Sequence, residues 1–269
     1  MKTNLLLIDC QNDFCIPGAS LYIKGADADM HRLSKFITDN ASKIDSIHIS
    51  LDMHLFDDIA HPMYWVDIEG NNPNPFTNIT SKDMESGKWN VANPADYNIT
   101  KSYLLYLEET KSFIHTIWPY HCIAGTYGSN IFPTLYSSLR TWMEKTGKSF
   151  QTHIKGMDRH SEHFGIFQAE YGTEFNIKLF HKLFTSEKRE QVNVLVAGQA
   201  KSHCIATSLK QILRHNSDCV KKITLLTDTT SNVTGCDHIA DGIYENLRSA
   251  GMKETTTDEY FKQNLLQTT

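Results

Sequence analysis

Three reactive side chains stand at the ends of apolar, β-branched runs: Asp9 after Leu5 to Ile8, Lys155 after Phe150 to Ile154, and Cys204 after Val192 to Gly198. A carboxylate beside a thiol can take its proton, and an ammonium can stabilise the anions so formed. The most telling stretch is Gly198-Gln199-Ala200-Lys201-Ser202-His203-Cys204. It leads from a strand pattern into a segment with apolar residues at Ile205, Leu209, Ile212 and Leu213, which is helical spacing. Cys204 is thereby set in the first turn of a helix, where the positive end of the macrodipole favours thiolate over thiol. In open α/β sheets ligands bind at the carboxyl ends of strands. That shared position sets Asp9 apart from a turn-starting carboxylate, Lys155 from a solvated surface charge and Cys204 from a small buried apolar residue.

A second constellation is Asp52-Met53-His54, again at a strand end. Side chains two apart on an extended segment point to the same face, so this carboxylate and imidazole can share one divalent ion. His61 follows, and Trp118-Pro119-Tyr120-His121 lies far downstream. A third ligand from a distant loop would complete a facial site with open positions. The chain has 13 histidines, so most must be hydrogen-bonded core or surface groups. His115, His153, His160, His163 and His215 are given no further role, and helix geometry turns His203 away from Cys204.

The elements that must position these groups alternate between strand and helix patterns, which predicts a parallel sheet with helices on both faces. Strands are expected at Leu5 to Asp9, Ser46 to Asp52, 149 to 154, 191 to 198 and 221 to 227. Helices are expected at about 26 to 43, 129 to 146, 173 to 186, after Cys204, and at 237 to 250. Between His61 and Thr110 lies a long segment rich in Asn, Pro and Gly, with a short helix expected around Ser102 to Glu109. Its Tyr64, Trp65, Phe76 and Trp89 argue that it packs, as a cover over the site or an oligomer contact. The sequence thus reads as one domain over 1–257 with an insertion at about 62–110, and a polar tail over 258–269.

At 269 residues the chain is long enough for one large α/β domain. A formal net charge of -5 without basic runs argues against nucleic acid and anionic membranes as partners. No apolar stretch approaches transmembrane length, and the first strand meets Asp9 before a signal peptide's apolar region is complete. Six scattered cysteines without CxxC spacing predict reduced thiols and a cytoplasmic protein.

Taken together, Asp9-Cys10-Gln11-Asn12-Asp13-Phe14, Asp52-Met53-His54, Trp118-Pro119-Tyr120-His121-Cys122, Lys155-Gly156 and the Gly198 to Cys204 stretch resemble the nicotinamidase branch of the isochorismatase-like cysteine hydrolases. The match runs in order from residue 5 to about 250. The resemblance implies a three-layer α/β/α sandwich around a six-stranded parallel sheet, with a catalytic triad of Asp9, Lys155 and Cys204. It implies an oxyanion hole from the backbone N–H groups of Ala200 and Cys204, a cis Gln199–Ala200 peptide, and one divalent metal ion on Asp52, His54 and His121. Zinc is the first expectation for that ion, with iron or manganese as alternatives. Phe14 and Trp118 would be apolar walls for a small-molecule amide substrate. The implied reaction is hydrolysis of nicotinamide to nicotinate and ammonia through a thioester, a step of NAD salvage. The chain departs from the small nicotinamidases at Met53, where they carry an aromatic residue, in the delayed His61, and in the 62–110 and 160–171 segments. Those departures keep open a cysteine hydrolase of another small amide or ureido substrate, a non-catalytic binding protein on the same fold, and a homo-oligomer.

Overall fold

A computed structural model describes residues 2–111, 113–186 and 190–266, with side chains to 262. Eight strands follow in chain order: β1 (Lys2–Ile8), β2 (Ser46–Asp52), β3 (Trp65–Val66), β4 (Asn90–Val91), β5 (Gln151–Lys155), β6 (Val192–Gly198), β7 (Ile223–Leu226) and β8 (Lys253–Thr255). Six of them form one parallel sheet in the order β5-β2-β1-β6-β7-β8, while β3 and β4 pair as a separate antiparallel ribbon. The chain builds outward from β1 to one edge and then crosses to β6 on the other side. That reversal opens a crevice at the carboxyl ends of β1 and β6, as expected at a topological switch point.

Alternation along β1 makes the two faces. Leu5 and Leu7 enter one apolar cluster, with the helices Ala26–Asp39 and Pro133–Thr146, and Leu6 and Ile8 enter the other, with Ile177–Phe184, Ala206–His215 and Asp241–Ser249. The result is the expected α/β/α sandwich. Register then fixes the strand ends, with Ile8 opposite Gly198 and Asp52 opposite Lys155. Gly198 has φ +118°, and a Cβ there would lie 2.0 Å from the Ile8 carbonyl oxygen, so only glycine lets β1 and β6 close at the crevice.

Several boundaries differ from the sequence expectation for local reasons. The first long helix stops at Asp39, and Ala41–Lys43 form a separate 3-10 turn. The helix expected from 129 starts at Pro133, whose ring suits the first helical position. The strand expected to end at Ile154 includes Lys155, and β8 is too short to give a pattern. From 258, where the sequence reads as a polar tail, Thr257–Leu266 form a helix; its Tyr260 is buried and its Phe261 stacks on Phe36 at 5.4 Å.

The 62–110 segment has its own small core of Tyr64, Trp65, Val91, Tyr103, Leu104 and Leu107, closed from outside by Ile59 and Ile117. Its helix runs from Tyr97 to Glu109, longer than expected, and a Thr80–Asp83 capping box starts a short helix at Ser81. Among the described residues, no helix is long and apolar enough to cross a membrane. The six cysteines are free thiols.

Candidate active site and metal centre

The side chains singled out from β1, β2, β5 and β6 converge at the strand ends around one buried ammonium. Lys155 Nζ lies 2.9 Å from Asp9 Oδ2 and 2.9 Å from Asp52 Oδ1, donates to the His163 carbonyl at 2.8 Å, and stands 3.7 Å from Cys204 Sγ. Ser50 on β2 donates to Asp9 Oδ1 at 2.6 Å and accepts from the Asp9 N–H at 3.0 Å, so the carboxylate is held from the neighbouring strand. Asp9 sits in the left-handed region at φ +49°, a strained conformation that turns the chain sharply out of β1.

Electrostatics sort these groups. Burial raises the Asp9 carboxyl above its ordinary value against the opposing pull of Lys155. Burial opposes the charge on Lys155, but the Asp52 and Asp9 carboxylates hold its pKa well above normal. Burial likewise pushes the Cys204 thiol well up, with Lys155 acting the other way. The sequence reading expects the helix dipole to favour thiolate. The structure instead places Cys204 in a single π-turn, Lys201–Ile205, closed by the Ile205 N–H on the Ala200 carbonyl at 3.1 Å, and buries it. Desolvation outweighs the dipole, and the resting group is a thiol within hydrogen-bond reach of Asp9. The Gln199–Ala200 peptide is cis.

The second constellation adjoins the first through Asp52. Its Oδ2 lies 3.0 Å from His54 Nε2 and 3.6 Å from His121 Nε2, and one donor atom from each residue falls within 4.8 Å of the others. Asp58 Oδ2 accepts from His54 Nδ1 at 3.1 Å, and the Pro119 carbonyl accepts from His121 Nδ1 at 2.8 Å. Both rings are thereby turned with Nε2 toward Asp52, the outer support that metal-binding histidines need. A carboxylate and two imidazoles so arranged fit a divalent ion. His61 lies behind His121, Nε2 to Nδ1 3.3 Å, outside this trio. Burial opposes ionisation of Asp52, but His54 and Lys155 hold its carboxyl well below the usual range.

The motif after β1 acts as scaffolding. Gln11 Nε2 donates to the carbonyls of Asp52 (2.7 Å) and Ser129 (2.9 Å), and its Oε1 accepts from the Asp52 N–H at 2.7 Å. Asp13 Oδ2 accepts from the Cys122 N–H at 2.6 Å and so fixes the loop that carries His121. Phe14 and Trp118 line the crevice with Ala200 and Cys204.

Four further wall or support residues carry no local signal. Asp58 orients His54, and His163 lines the crevice while its carbonyl receives Lys155. His203, within the π-turn, also reaches the crevice and packs edge-on to Trp118 at 5.5 Å. Glu162 accepts from the Trp118 indole at 2.9 Å and is pushed by burial up to about 8, so it faces the crevice as a neutral acid at neutral pH.

No family model matches the chain. The nicotinamidase of Saccharomyces cerevisiae is 23% identical over 254 residues, covering 93% of this chain and 96% of that protein. The solved structure of yeast nicotinamidase superposes with a TM-score of 0.65 at 16% identity, over 94% of this chain and 99% of the other. An L. infantum structure in complex with nicotinate gives a TM-score of 0.58 at 17% identity (96% and 93% covered), and a Pyrococcus horikoshii pyrazinamidase in complex with zinc gives 0.56 at 15% (95% and 99% covered). In fold, the chain is similar to solved nicotinamidases and to isochorismatase-like hydrolases.

Proposed function

We propose that this chain is a metal-assisted cysteine amidohydrolase that converts nicotinamide to nicotinate and ammonia. The observation that carries this reading is Lys155, one ammonium in contact with both Asp9 and Asp52 and 3.7 Å from the Cys204 sulfur. It ties a thiol, a proton acceptor and a metal-ligating carboxylate into a single crevice.

The resting thiol gives its proton to Asp9, whose raised affinity for protons suits it to accept and later return one. The Cys204 sulfur attacks the carboxamide carbon, and the backbone N–H groups of Ala200 and Cys204 stabilise the oxyanion, at about 3 kcal/mol per donor. Asp9 then protonates the departing nitrogen; the C–N bond breaks, and ammonia leaves a thioester. Asp9 next takes a proton from water, whose oxygen attacks the thioester carbon; nicotinate departs and the sulfur recovers its proton. Lys155 keeps Asp9 and the sulfur poised throughout without giving up its own proton. Asp52, His54 and His121 would hold the divalent ion, zinc first, which when bound supplies a Lewis-acid position for the pyridine nitrogen. Phe14 and Trp118 would flank the ring. Free thiols throughout suit a reducing compartment, and the cytoplasm is the proposed location.

Ammonia release from nicotinamide and benzamide tests the reading, with Cys204→Ala as control. Benzamide has the same carboxamide and ring shape but no ring nitrogen, so its kcat/KM should fall on the order of a hundredfold. Equal rates would mean that the ring nitrogen is not an anchor. If neither amide reacts while a bulkier or ureido substrate does, the second reading holds: a related cysteine hydrolase whose 62–110 insertion has reshaped the pocket. Phe76 of that insertion packs edge-on against Trp118 at 6.0 Å, which gives this alternative its physical basis.

A further inference from the structure

The helix Ala206–His215, which follows Cys204, carries a second cavity of about 450 Å³ that shares no lining residue with the crevice. Thr207, Lys210, Gln211 and Arg214 line it at helical spacing. Tyr106 from the insertion helix, Phe113, and the 168–175 loop with Glu170 and Phe175 close the other sides.

The polar groups here divide into two kinds. Gln211 is occupied, accepting from the Phe167 N–H at 3.1 Å and donating to the Gln168 carbonyl at 2.7 Å. Thr207 is not: it is 4% exposed, and its hydroxyl is buried without a hydrogen-bond partner. A buried donor left unmade is costly and rare, and it calls for a partner that enters the cavity. Lys210 and Arg214 make no hydrogen bond and no ion pair among the described residues, although they stand one turn apart on the same helix face. Like charges at that spacing repel, so the pair is retained against a local cost. An arginine fork and a lysine point charge together match a carboxylate.

We propose that this cavity is a binding site for a small aromatic monocarboxylate, its carboxylate on Arg214, Lys210 and the Thr207 hydroxyl and its ring against Phe113 and Phe175. Charge selects the class. Lys210, Arg214 and the Glu170 carboxyl leave a single net positive charge when Glu170 is ionised, the lining His215 being stacked on Phe175 at 4.1 Å, and this balances a monoanion and disfavours a phosphate dianion. Burial pushes Glu170 up to about 7, so part of the population holds a proton that can itself be donated to the anion. The cavity is in the usual size range for small ligands. The acid released in the proposed reaction falls in this class, but the argument rests only on the residues of the second cavity.

Calorimetric titration of benzoate into the wild-type chain and into Arg214→Leu, Lys210→Met and Thr207→Val tests the site. Arg214 is exposed and Lys210 half-buried, so both variants should fold, and their melting temperatures check this. Saturable binding to wild type is expected, weakened about tenfold or more by Arg214→Leu or Lys210→Met, since each removes a charged partner. Thr207→Val should weaken binding severalfold without lowering the melting temperature of the free protein, because the hydroxyl it removes has no partner there. Acetate, which lacks the ring, should bind much more weakly than benzoate. The proposal is overturned if benzoate does not saturate at millimolar concentration, if neither cation variant changes the affinity, or if acetate binds as tightly as benzoate.

Discussion

The two sides of the crevice are held in different ways. On the sheet side, Asp9, Asp52, Lys155 and Cys204 follow or end parallel strands, and the ladder fixes them: Ile8 faces Gly198 and Asp52 faces Lys155. Asp9, Asp52 and Lys155 cannot shift by a residue without breaking the register of β1, β2 or β5. On the loop side, His121 and Trp118 arrive on a segment tied by individual hydrogen bonds, from Cys122 N–H to Asp13, from His54 N–H to the Cys122 carbonyl and from Ala124 N–H to the His54 carbonyl. Such ties can be re-made with a different loop. On the proposed mechanism, the rigid side holds the groups that would make and break bonds, and the adjustable side those that would select what is bound.

The largest effect should come from the rigid side. Cys204→Ala removes the proposed attacking atom while adding no bulk, and should lower kcat on the order of 10⁴-fold or more with an unchanged melting curve. A variant that retained its rate would place the chemistry elsewhere. Lys155→Met should act on both activity and stability. It leaves Asp9 and Asp52 facing one cavity without their shared cation, and breaking a buried pair from one side costs about 3 kcal/mol or more, read from urea unfolding. A fully active, equally stable Lys155→Met protein would contradict the arrangement described.

The boundary between the two sides is the candidate metal site of Asp52, His54 and His121, where His54 is predicted to dominate. His54→Ala should lose the ion outright, measured by elemental analysis of the purified protein. Asp58→Asn, which alters the partner of the far nitrogen of His54 and can keep an oxygen for the Ala60 N–H, should cost about ten- to a hundredfold in metal affinity. The pH dependence has a definite sign. In the metal-free protein, burial disfavours the His54 cation, but Asp52 and Asp58 outweigh it and raise its pKa well above normal. His54 therefore binds a proton more tightly folded than unfolded, a stabilisation present at low pH and lost as pH rises through the folded value. An incoming ion must displace that proton, so metal affinity should climb with pH until His54 is neutral and then level off. Affinity that fell with rising pH over that range would contradict a ligand role for His54.

The sheet side was legible in the sequence because a strand end leaves a local trace: an apolar, β-branched run followed by one reactive residue, as at Asp9, Asp52 and Cys204. The strand containing Lys155 was placed one residue short, since the run Phe150 to Ile154 ends before the lysine that completes it. The loop side left less. Asp58, Glu162, His163 and His203 are single polar residues in segments without periodicity, and their positions depend on contacts far away in sequence. The Trp118 indole reaches Glu162 across 44 positions. The π-turn at Lys201–Ile205 also has no composition of its own, so the sequence reads as an ordinary helix start, with His203 turned away from Cys204 and Cys204 dipole-activated. At the other end of the chain, Tyr260 and Phe261 are two aromatic residues in a polar run, too few to form an apolar stripe, yet enough to seat a helix against Phe36.

The smallest effect should separate binding from chemistry. Phe76 belongs to the insertion, is 58% exposed, and meets the crevice wall through its edge-on contact with Trp118. Phe76→Ala removes that brace without touching Asp9, Lys155, Cys204 or the metal trio, and its exposure keeps the loss of stability small. Trp118 would keep its hydrogen bond to Glu162 but gain freedom on its other edge. For nicotinamide the expected outcome is a rise in KM of about twofold to fivefold at nearly constant kcat, the signature of lost uniform binding. For a bulkier amide the same change should lower KM, because the wall that excludes it has softened. Steady-state kinetics on both substrates decides the matter. A fall in kcat for both would show that the insertion holds the reacting groups themselves, and the division between a rigid chemical side and an adjustable selective side would fail at that residue.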